Sequence, residues 1–241
     1  NAVTDIVRRS RGAQQEASET LASQKKLRSL EDNPSGYVTV TKINGDLAAN
    51  EIFLENISHA KGFLSSTDIA LGSIQDSLIR LKELSLAMSN DTNNIKTRKI
   101  VASEVKEIIN KIIAHGNTNH QGKYIFSGFS DRTPALGLAG NYQGDDGNIL
   151  LELSAGKFKK INISGDRIFG KGVRGKEEYD FISDLNFFER TLSKNDRDGI
   201  KRSHEYISNY IERVSQLQGE VGVAIKGLEN LKNNLSEENI M

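Results

Sequence analysis

Apolar residues recur at heptad spacing in two separate parts of the chain. In the first part they are Ile43, Ile57, Leu64, Leu71 and Leu78, with Leu47, Leu54, Ala60, Ile74, Leu81 and Met88 at the intermediate steps. In the second part they are Ile200, Ile207, Val214, Leu217, Val221, Leu228, Leu231 and Leu235. Seven-residue spacing keeps one apolar seam facing a partner helix along its whole length. The pattern therefore predicts two long helices, over about 38–89 and 198–235, that pack against each other.

A third helix is predicted over about 95–117, with its seam formed by Val101, Val105, Ile108 and Ile112. The polar run at 90–94 is too short for anything but a direct return, so we expect this helix to lie antiparallel to the first. The last long helix should pack along both. A helical apolar stripe is more often core than an oligomer interface, so we predict one internal bundle that buries Leu78, Ile108 and Val214.

Between the helices the apolar period changes from helical to alternating. Short apolar runs around Leu151, Leu153, Phe158 and Ile163 are separated by Gly, Asp and Ser. Such runs predict β hairpins, here with turns at 144–147, 154–157 and 164–166. We expect an appendage with its own small cluster, which includes Tyr142 and Phe158, so that a linker could replace 130–176 and leave the bundle folded. A short helix should follow, with an apolar face formed by Phe181, Leu185, Phe188 and Leu192.

The start of the chain carries a weaker pattern. Residues 4–30 have a thin apolar stripe, and the run from Asp32 and Asn33 through Pro34 to Gly36 predicts a break. The fold class is therefore mainly α with a β insert, a long antiparallel helical bundle plus a small β-hairpin domain. The predicted domains are a terminal assembly helix with no partner (1–31), a hinge loop (32–37), a discontinuous helical domain (38–127 and 178–237) and an inserted β domain (129–176).

Composition narrows the class of protein. Of 241 residues only 37% are hydrophobic, which suits thin helical bundles. The 32 basic residues equal the 32 acidic ones, which argues against a nucleic-acid partner. The absence of cysteine excludes disulfides, thiol nucleophiles and cysteine-ligated zinc. No stretch has the ~18–20 apolar residues that span a membrane, so we predict no membrane partner. The chain lacks an initiator Met and an apolar signal core, and we expect a fragment trimmed at both ends.

No pattern of catalytic or ligand-binding residues is complete. Residues 170–175 fit G-x-G-x-x-G, but they lack the βαβ unit and the acidic residue of a dinucleotide site, and a flexible exit from the β segment is favoured. The histidines at 59, 115, 120 and 204 lack the spacing of a metal site. Residues 145–147 lack the rest of a calcium loop. We therefore predict no enzyme, no cofactor and no metal.

Four segments resemble flagellin-like proteins. Residues 23–34 are similar to the stretch in which a terminal helix of that family gives way to a loop. Residues 119–128, with Tyr124, Phe126 and Gly128, resemble the family segment N-x-x-G-x-Y-x-F-S-G, and residues 142–147 and 218–222 continue the resemblance. It covers nearly the whole chain. We take the three motif residues, the residues of the predicted break and the three predicted core residues above as candidates for structural or assembly roles.

The resemblance implies a structural subunit of the bacterial flagellum, in the branch of the family that joins hook to filament. It implies flagellin, another hook-associated protein on the hook side and a cytoplasmic export chaperone as partners, with self-association in a ring when the chain is complete. It also implies an extracellular location at the hook–filament junction, reached by flagellar export without a cleaved signal peptide. A flagellin filament subunit is the first alternative, and a cytoplasmic coiled-coil adaptor is the second. The chain as it stands is expected to be monomeric, with 1–30 frayed.

Overall fold

The computed structural model describes residues 34–90, 93–170 and 180–238. The helices are α1 (Pro34–Met88), α2 (Ile95–Gly116), α3 (Asp166–Phe169), α4 (Phe181–Lys194) and α5 (Arg197–Glu238). The strands are β1 (Asn119–His120), β2 (Lys123–Tyr124), β3 (Leu150–Ser154) and β4 (Lys157–Lys160). They form two antiparallel pairs, β1 with β2 and β3 with β4. The predicted fold class, mainly α with a small β insert, is confirmed.

The first helix starts earlier than the sequence indicated. Helix α1 begins at Pro34 and includes Gly36, so the predicted hinge loop is wrong for residues 34–37. A proline in the first turn of a helix costs little, because the N–H that it lacks would have no helical acceptor there. Residues 1–33 lie outside the described residues, so the terminal helix, its fraying and the roles of Asp32 and Asn33 stay predictions.

The chain divides into two compact units, and the division falls inside α1, between Ile52 and Phe53. The described part of the first unit is the beginning of α1, where Ile43 and Leu47 are exposed. The predicted seam is wrong for these two residues, since heptad spacing provides an apolar face but burial also needs a neighbour at that level. In the second unit the seam is buried from Ile57 to Met88.

Cross-helix contacts establish the directions of the long helices in the second unit. Arg80 of α1 pairs with Glu104 of α2 at 2.8 Å, whereas the later Met88 carbonyl accepts from the earlier Arg98 at 3.1 Å. The two helices are therefore antiparallel, as predicted. Helix α5 also lies antiparallel to α1, because Lys61 pairs with Glu229 at 2.6 Å and Ser85 contacts His204 at 2.8 Å.

The second unit has one apolar core, to which α1, α2, α4 and α5 all contribute. Leu78, Ile108 and Val214 are buried in it, so the prediction of their burial is confirmed. The predicted apolar face of α4 is buried too, and α4 packs against both α2 and α5. The sequence predicted this helix but not its place in the bundle. The sequence predicted that α5 packs along both α1 and α2, but it did not predict that α2 packs against α4.

The β-rich segment contains one of the three predicted hairpins, β3–β4. Its turn contains Gly156 with φ of +68°, a conformation that favours glycine. Residues 144–147 form no hairpin turn, and residues 164–166 lead into α3 instead. Phe158 is 63% exposed, so its predicted place in the apolar cluster is wrong. It stands opposite Glu152 on one face of the hairpin, whereas Leu153 occupies the other face and is buried.

The β-rich segment is tied to the helices by specific contacts. The Asn117 side chain donates to the Leu136 carbonyl and accepts from the Leu136 N–H, both at 2.8 Å. Asn56 of α1 donates to the Glu152 carbonyl at 2.9 Å, and Arg167 forms a two-bond ion pair with Glu220 of α5 at 2.8 Å. Leu136 and Leu153 belong to the common core. These contacts argue against an appendage that could be removed without loss, although the predicted domain boundaries themselves stay a prediction.

We expect Leu78→Asp to lower the free energy of unfolding by roughly 3–5 kcal/mol, because the substitution places an unpaired charge in the core. The neighbouring Ile79 is 42% exposed, and Ile79→Asp is the matched control, with an expected change below about 0.5 kcal/mol. Urea denaturation followed by circular dichroism gives both values. Equal stability of the two variants would contradict this assignment of the core.

Candidate functional site

Two sequence motifs that lie apart in the chain meet in one place, which we call the motif cluster (residues 124–130 and 142–147). The Tyr142 hydroxyl lies 2.9 Å from the Phe126 carbonyl oxygen and 2.8 Å from that of Asp145, and it donates to them. Burial, with the nearby negative charge of Asp166, raises the pKa of Tyr142 far above its ordinary value. The hydroxyl therefore keeps its proton and remains a donor.

Asp145 organises the backbone of the motif cluster. Its Oδ1 accepts from the N–H groups of Phe129 and Gly147, both at 2.8 Å. Its Oδ2 accepts from the N–H of Ser130 at 3.0 Å and from the Ser130 hydroxyl at 2.8 Å. Burial acts to raise the pKa of Asp145, but these four hydrogen bonds outweigh it and hold the pKa below its ordinary value. The carboxylate is thus a structural acceptor for a turning backbone.

Gly128 is a steric requirement of this arrangement. Its φ is +67°, and a Cβ added there would lie 2.1 Å from Asp145 Oδ1 and 2.5 Å from the Asp145 carbonyl oxygen. Any other residue would clash with the carboxylate that organises the loop and would adopt a strained backbone. The predicted motif residue is therefore explained by the close approach of two backbone segments.

Phe126 links the motif cluster to the helices through a series of aromatic rings. Its ring centroid lies 6.0 Å from that of Phe169, which lies 5.6 Å from Phe181, which in turn lies 4.6 Å from Tyr210 of α5. All three pairs meet edge to face, the favourable geometry for aromatic rings. The Tyr210 hydroxyl donates to the Asp184 carboxylate, whose pKa is raised by burial. The series joins the loop, α3, α4 and α5.

A second polar cluster surrounds Arg98 in the first turn of α2, and the sequence analysis missed it. Arg98 is fully buried. Its guanidinium donates to the Met88 carbonyl at 3.1 Å, to the Asn90 carbonyl at 3.0 Å and to the side-chain oxygen of Asn195. Asn195 is the left-handed residue that ends α4. One side chain therefore binds the end of α1 and the end of α4. A lone arginine in a helical pattern is ordinarily solvent-exposed, so the sequence held no signal for it.

Two histidines contact serines of α1. His120 Nδ1 lies 2.8 Å from the Ser66 hydroxyl, and His204 Nδ1 lies 2.8 Å from that of Ser85. Within residues 34–90, 93–170 and 180–238, no three His, Cys, Asp or Glu side chains are grouped closely enough to hold a metal ion. None of the helices in these ranges has an apolar stretch that could cross a bilayer. Of the glycine pattern, only Gly170 is described, and it ends α3 with φ of +83°.

The structure brings together only part of the predicted site. Tyr124, Phe126 and Gly128 lie in the motif cluster, where the Tyr124 N–H donates to the Asp131 carbonyl at 2.7 Å. The predicted core residues lie along the helices, while Pro34 and Gly36 belong to the first turn of α1. The assembly role of all these residues stays a prediction. The sequence did not reveal the roles of Tyr142 and Asp145, because their hydrogen-bond partners become adjacent to them only on folding.

A family model described as the bacterial flagellin N-terminal helical region matches residues 1–131. The chain belongs to the bacterial flagellin family. Residues 119–128, which carry part of the resemblance, fall inside this match, and residues 124–128 belong to the motif cluster. No curated protein matches the sequence.

Solved structures of the same fold include several hook-associated proteins. A flagellar hook-associated protein from Vibrio parahaemolyticus is similar with a TM-score of 0.79 and 20% identity, over 88% of this chain and 96% of that one. FlgL from Bacillus cereus has a TM-score of 0.74 and 24% identity, over 85% and 98%. Flagellin from Bacillus cereus has a TM-score of 0.55 and 20% identity, over 75% and 88%. These similarities establish a flagellin-like fold.

We expect Asp145→Asn to destabilise the protein by roughly 1–3 kcal/mol at neutral pH, because an amide cannot accept all four hydrogen bonds. The folded-state pKa of Asp145 is lowered, so its contribution is complete above the ordinary carboxyl pKa and is lost as pH falls through the folded value. The difference in stability between wild type and variant should therefore shrink in acid. Urea titrations at several pH values measure this. The control is Glu107→Gln, on the exposed face of α2. If the difference in stability between wild type and Asp145→Asn were the same at all pH values, the structural role of the Asp145 carboxylate would be contradicted.

Arg98→Met should lower the free energy of unfolding by about 2–4 kcal/mol, because the carbonyls of Met88 and Asn90 lose their donor. Arg98→Lys should not restore it, since a single ammonium cannot reproduce the planar fork that reaches three acceptors. The exposed neighbour provides the control variant Lys99→Met. Chemical denaturation measures all three, and a fully stable Arg98→Lys protein would show that charge alone suffices at this position.

Proposed function

We propose that this protein is a structural subunit that joins the hook of the bacterial flagellum to its filament. The observation that carries the proposal is the better agreement of its fold with hook-associated proteins than with flagellin, both in TM-score and in the share of the chain covered. A filament subunit is the second candidate, supported by the family match and the weaker fold agreement with flagellin. The family match disfavours an unrelated coiled-coil adaptor.

The internal contacts of the second unit suit a mechanical role. A junction subunit has to transmit force between neighbouring subunits without its own segments moving relative to one another. The β-rich segment is held to α1 by Asn56, to α2 by Asn117 and to α5 by Arg167. The rings from Phe126 to Tyr210 add apolar packing between the same parts. Segments joined in this way move together, because displacement of one breaks hydrogen bonds and packing in several others.

We assign no catalytic role to the motif cluster. The Asp145 carboxylate accepts four hydrogen bonds from its own chain, and the Tyr142 hydroxyl donates to main-chain carbonyls. A general base must accept a proton from a substrate, and a nucleophile must donate an electron pair to it. The groups of the motif cluster are instead occupied by hydrogen bonds within the fold. The flagellin family membership is consistent with a structural role.

The proposed partners follow from the proposed position. They are flagellin on the filament side, another hook-associated protein on the hook side, further copies of the same chain in a ring, and an export chaperone in the cytoplasm. The proposed location is outside the cell, at the hook–filament junction, after flagellar export without a cleaved signal peptide. The limits of the helical domain (38–127 and 178–237) and of the β domain (129–176) belong to the same proposal, as do the assembly roles of Pro34, Gly36 and the motif residues.

Deletion of the gene in its host tests the proposal. We expect hooks without filaments in electron micrographs, with flagellin released into the medium, because exported filament subunits would have nothing to attach to. The intact gene supplied in trans should restore filaments. Normal filaments in the deletion strain would exclude a junction role. Loss of flagellin from both cells and medium, together with polymerisation of the purified protein into filaments, would instead identify a filament subunit.

A further inference from the structure

A cleft of about 660 Å³ lies beside the end of α2, between that helix and loop residues 134–143. Ile113 and Leu136 provide part of its apolar wall, and Asn110, Asn141 and Gln143 provide polar groups. None of its ten lining residues is charged, although charged residues make up 27% of the chain. The volume lies within the ~300–1,000 Å³ that ligand sites span. The proposed function does not use this cleft.

The polar groups of the cleft are side-chain amides, each of which both donates and accepts hydrogen bonds. Asn141 Oδ1 and Gln143 Nε2 stand together over Gly137, each 2.8 Å from the point that a Cβ on Gly137 would occupy. An acceptor and a donor are thus presented side by side, above a residue that has no side chain to cover them. This pair is complementary to the N–H and C=O groups of an extended peptide.

The same wall already contains one such pairing. The amide of Asn117, which also lines the cleft, donates to the Leu136 carbonyl and accepts from the Leu136 N–H, both at 2.8 Å. A side-chain amide in this wall therefore has the geometry to bind extended backbone at both of its polar atoms. Leu138 stands at the cleft and is fully exposed, which leaves apolar surface for a ligand to cover.

Other ligand classes fit the lining less well. The cleft has no cationic side chain to bind a phosphate or carboxylate, and no acidic side chain to bind a basic segment. It has no aromatic ring on which a base or a sugar could stack. A charged segment would lose hydration here without gaining a partner. We propose that the cleft binds an extended, uncharged polypeptide segment, through the amides of Asn141 and Gln143 and the side chain of Leu138.

Nuclear magnetic resonance on the full chain tests this site directly. The probes are a pool of capped hexapeptides built from Ala, Ser, Thr and Val, and matched pools with two positions changed to Lys or to Glu. The neutral pool should produce saturable shifts of the side-chain NH₂ resonances of Asn141 and Gln143. The charged pools should bind at least tenfold more weakly.

Gly137→Ala fills the space between the two amides and should reduce binding of the neutral pool at least tenfold. Its matched control is Gly219→Ala in α5, where a Cβ would have nothing within 4 Å, and binding should be unchanged. A circular-dichroism melt of each variant checks that it is folded. The absence of shifts with the neutral pool, equal binding of the charged pools, or full binding by a folded Gly137→Ala protein would each overturn the proposal.

Discussion

Burial of the apolar seam along α1 is the interaction on which the rest of the second unit depends. From Ile57 to Met88 this seam has antiparallel neighbours, and its register against α5 is marked by two polar contacts, Lys61 with Glu229 and Ser85 with His204. Once the long helices are fixed in this way, the remaining segments must return the chain between their ends. Every returning segment then has backbone groups that packing removes from water.

Side chains satisfy those backbone groups at the helix ends. Arg98 donates to carbonyl groups at the end of α1. Asn117, which directly follows α2, donates to the Leu136 carbonyl, and Asp145 accepts from N–H groups of the loop around Phe129. Each of these polar residues bonds to main chain distant from it in sequence, which replaces the regular hydrogen bonding that helices and sheets provide. The unit therefore combines an apolar interior with specific side-chain to main-chain hydrogen bonds at its turns.

The sequence predicted the features that depend on local periodicity. It did not predict burial or hydrogen bonds that depend on residues distant in the chain. Leu64, Leu71 and Leu78 repeat every seven residues, which is enough to predict a helix and its inward face. Ile43 follows the same period yet is exposed, because burial depends on a partner that periodicity does not specify. The local sequence places Asp145 in a hairpin turn, because its partners Phe129 and Ser130 lie 16 and 15 positions away. The sequence carries no signal for the role of Arg98, because an arginine in a helical pattern is ordinarily solvent-exposed.

The steric role of Gly128 changes what the family signature can be used for. Gly128 and Tyr142 both lie against Asp145 inside a single molecule. Such residues are constrained by folding, whichever neighbours the finished assembly has. Their contacts therefore explain the shared architecture that the signature marks. Residues that distinguish a junction subunit from a filament subunit should instead be sought among exposed side chains outside the motif cluster, of which Phe158 is an example.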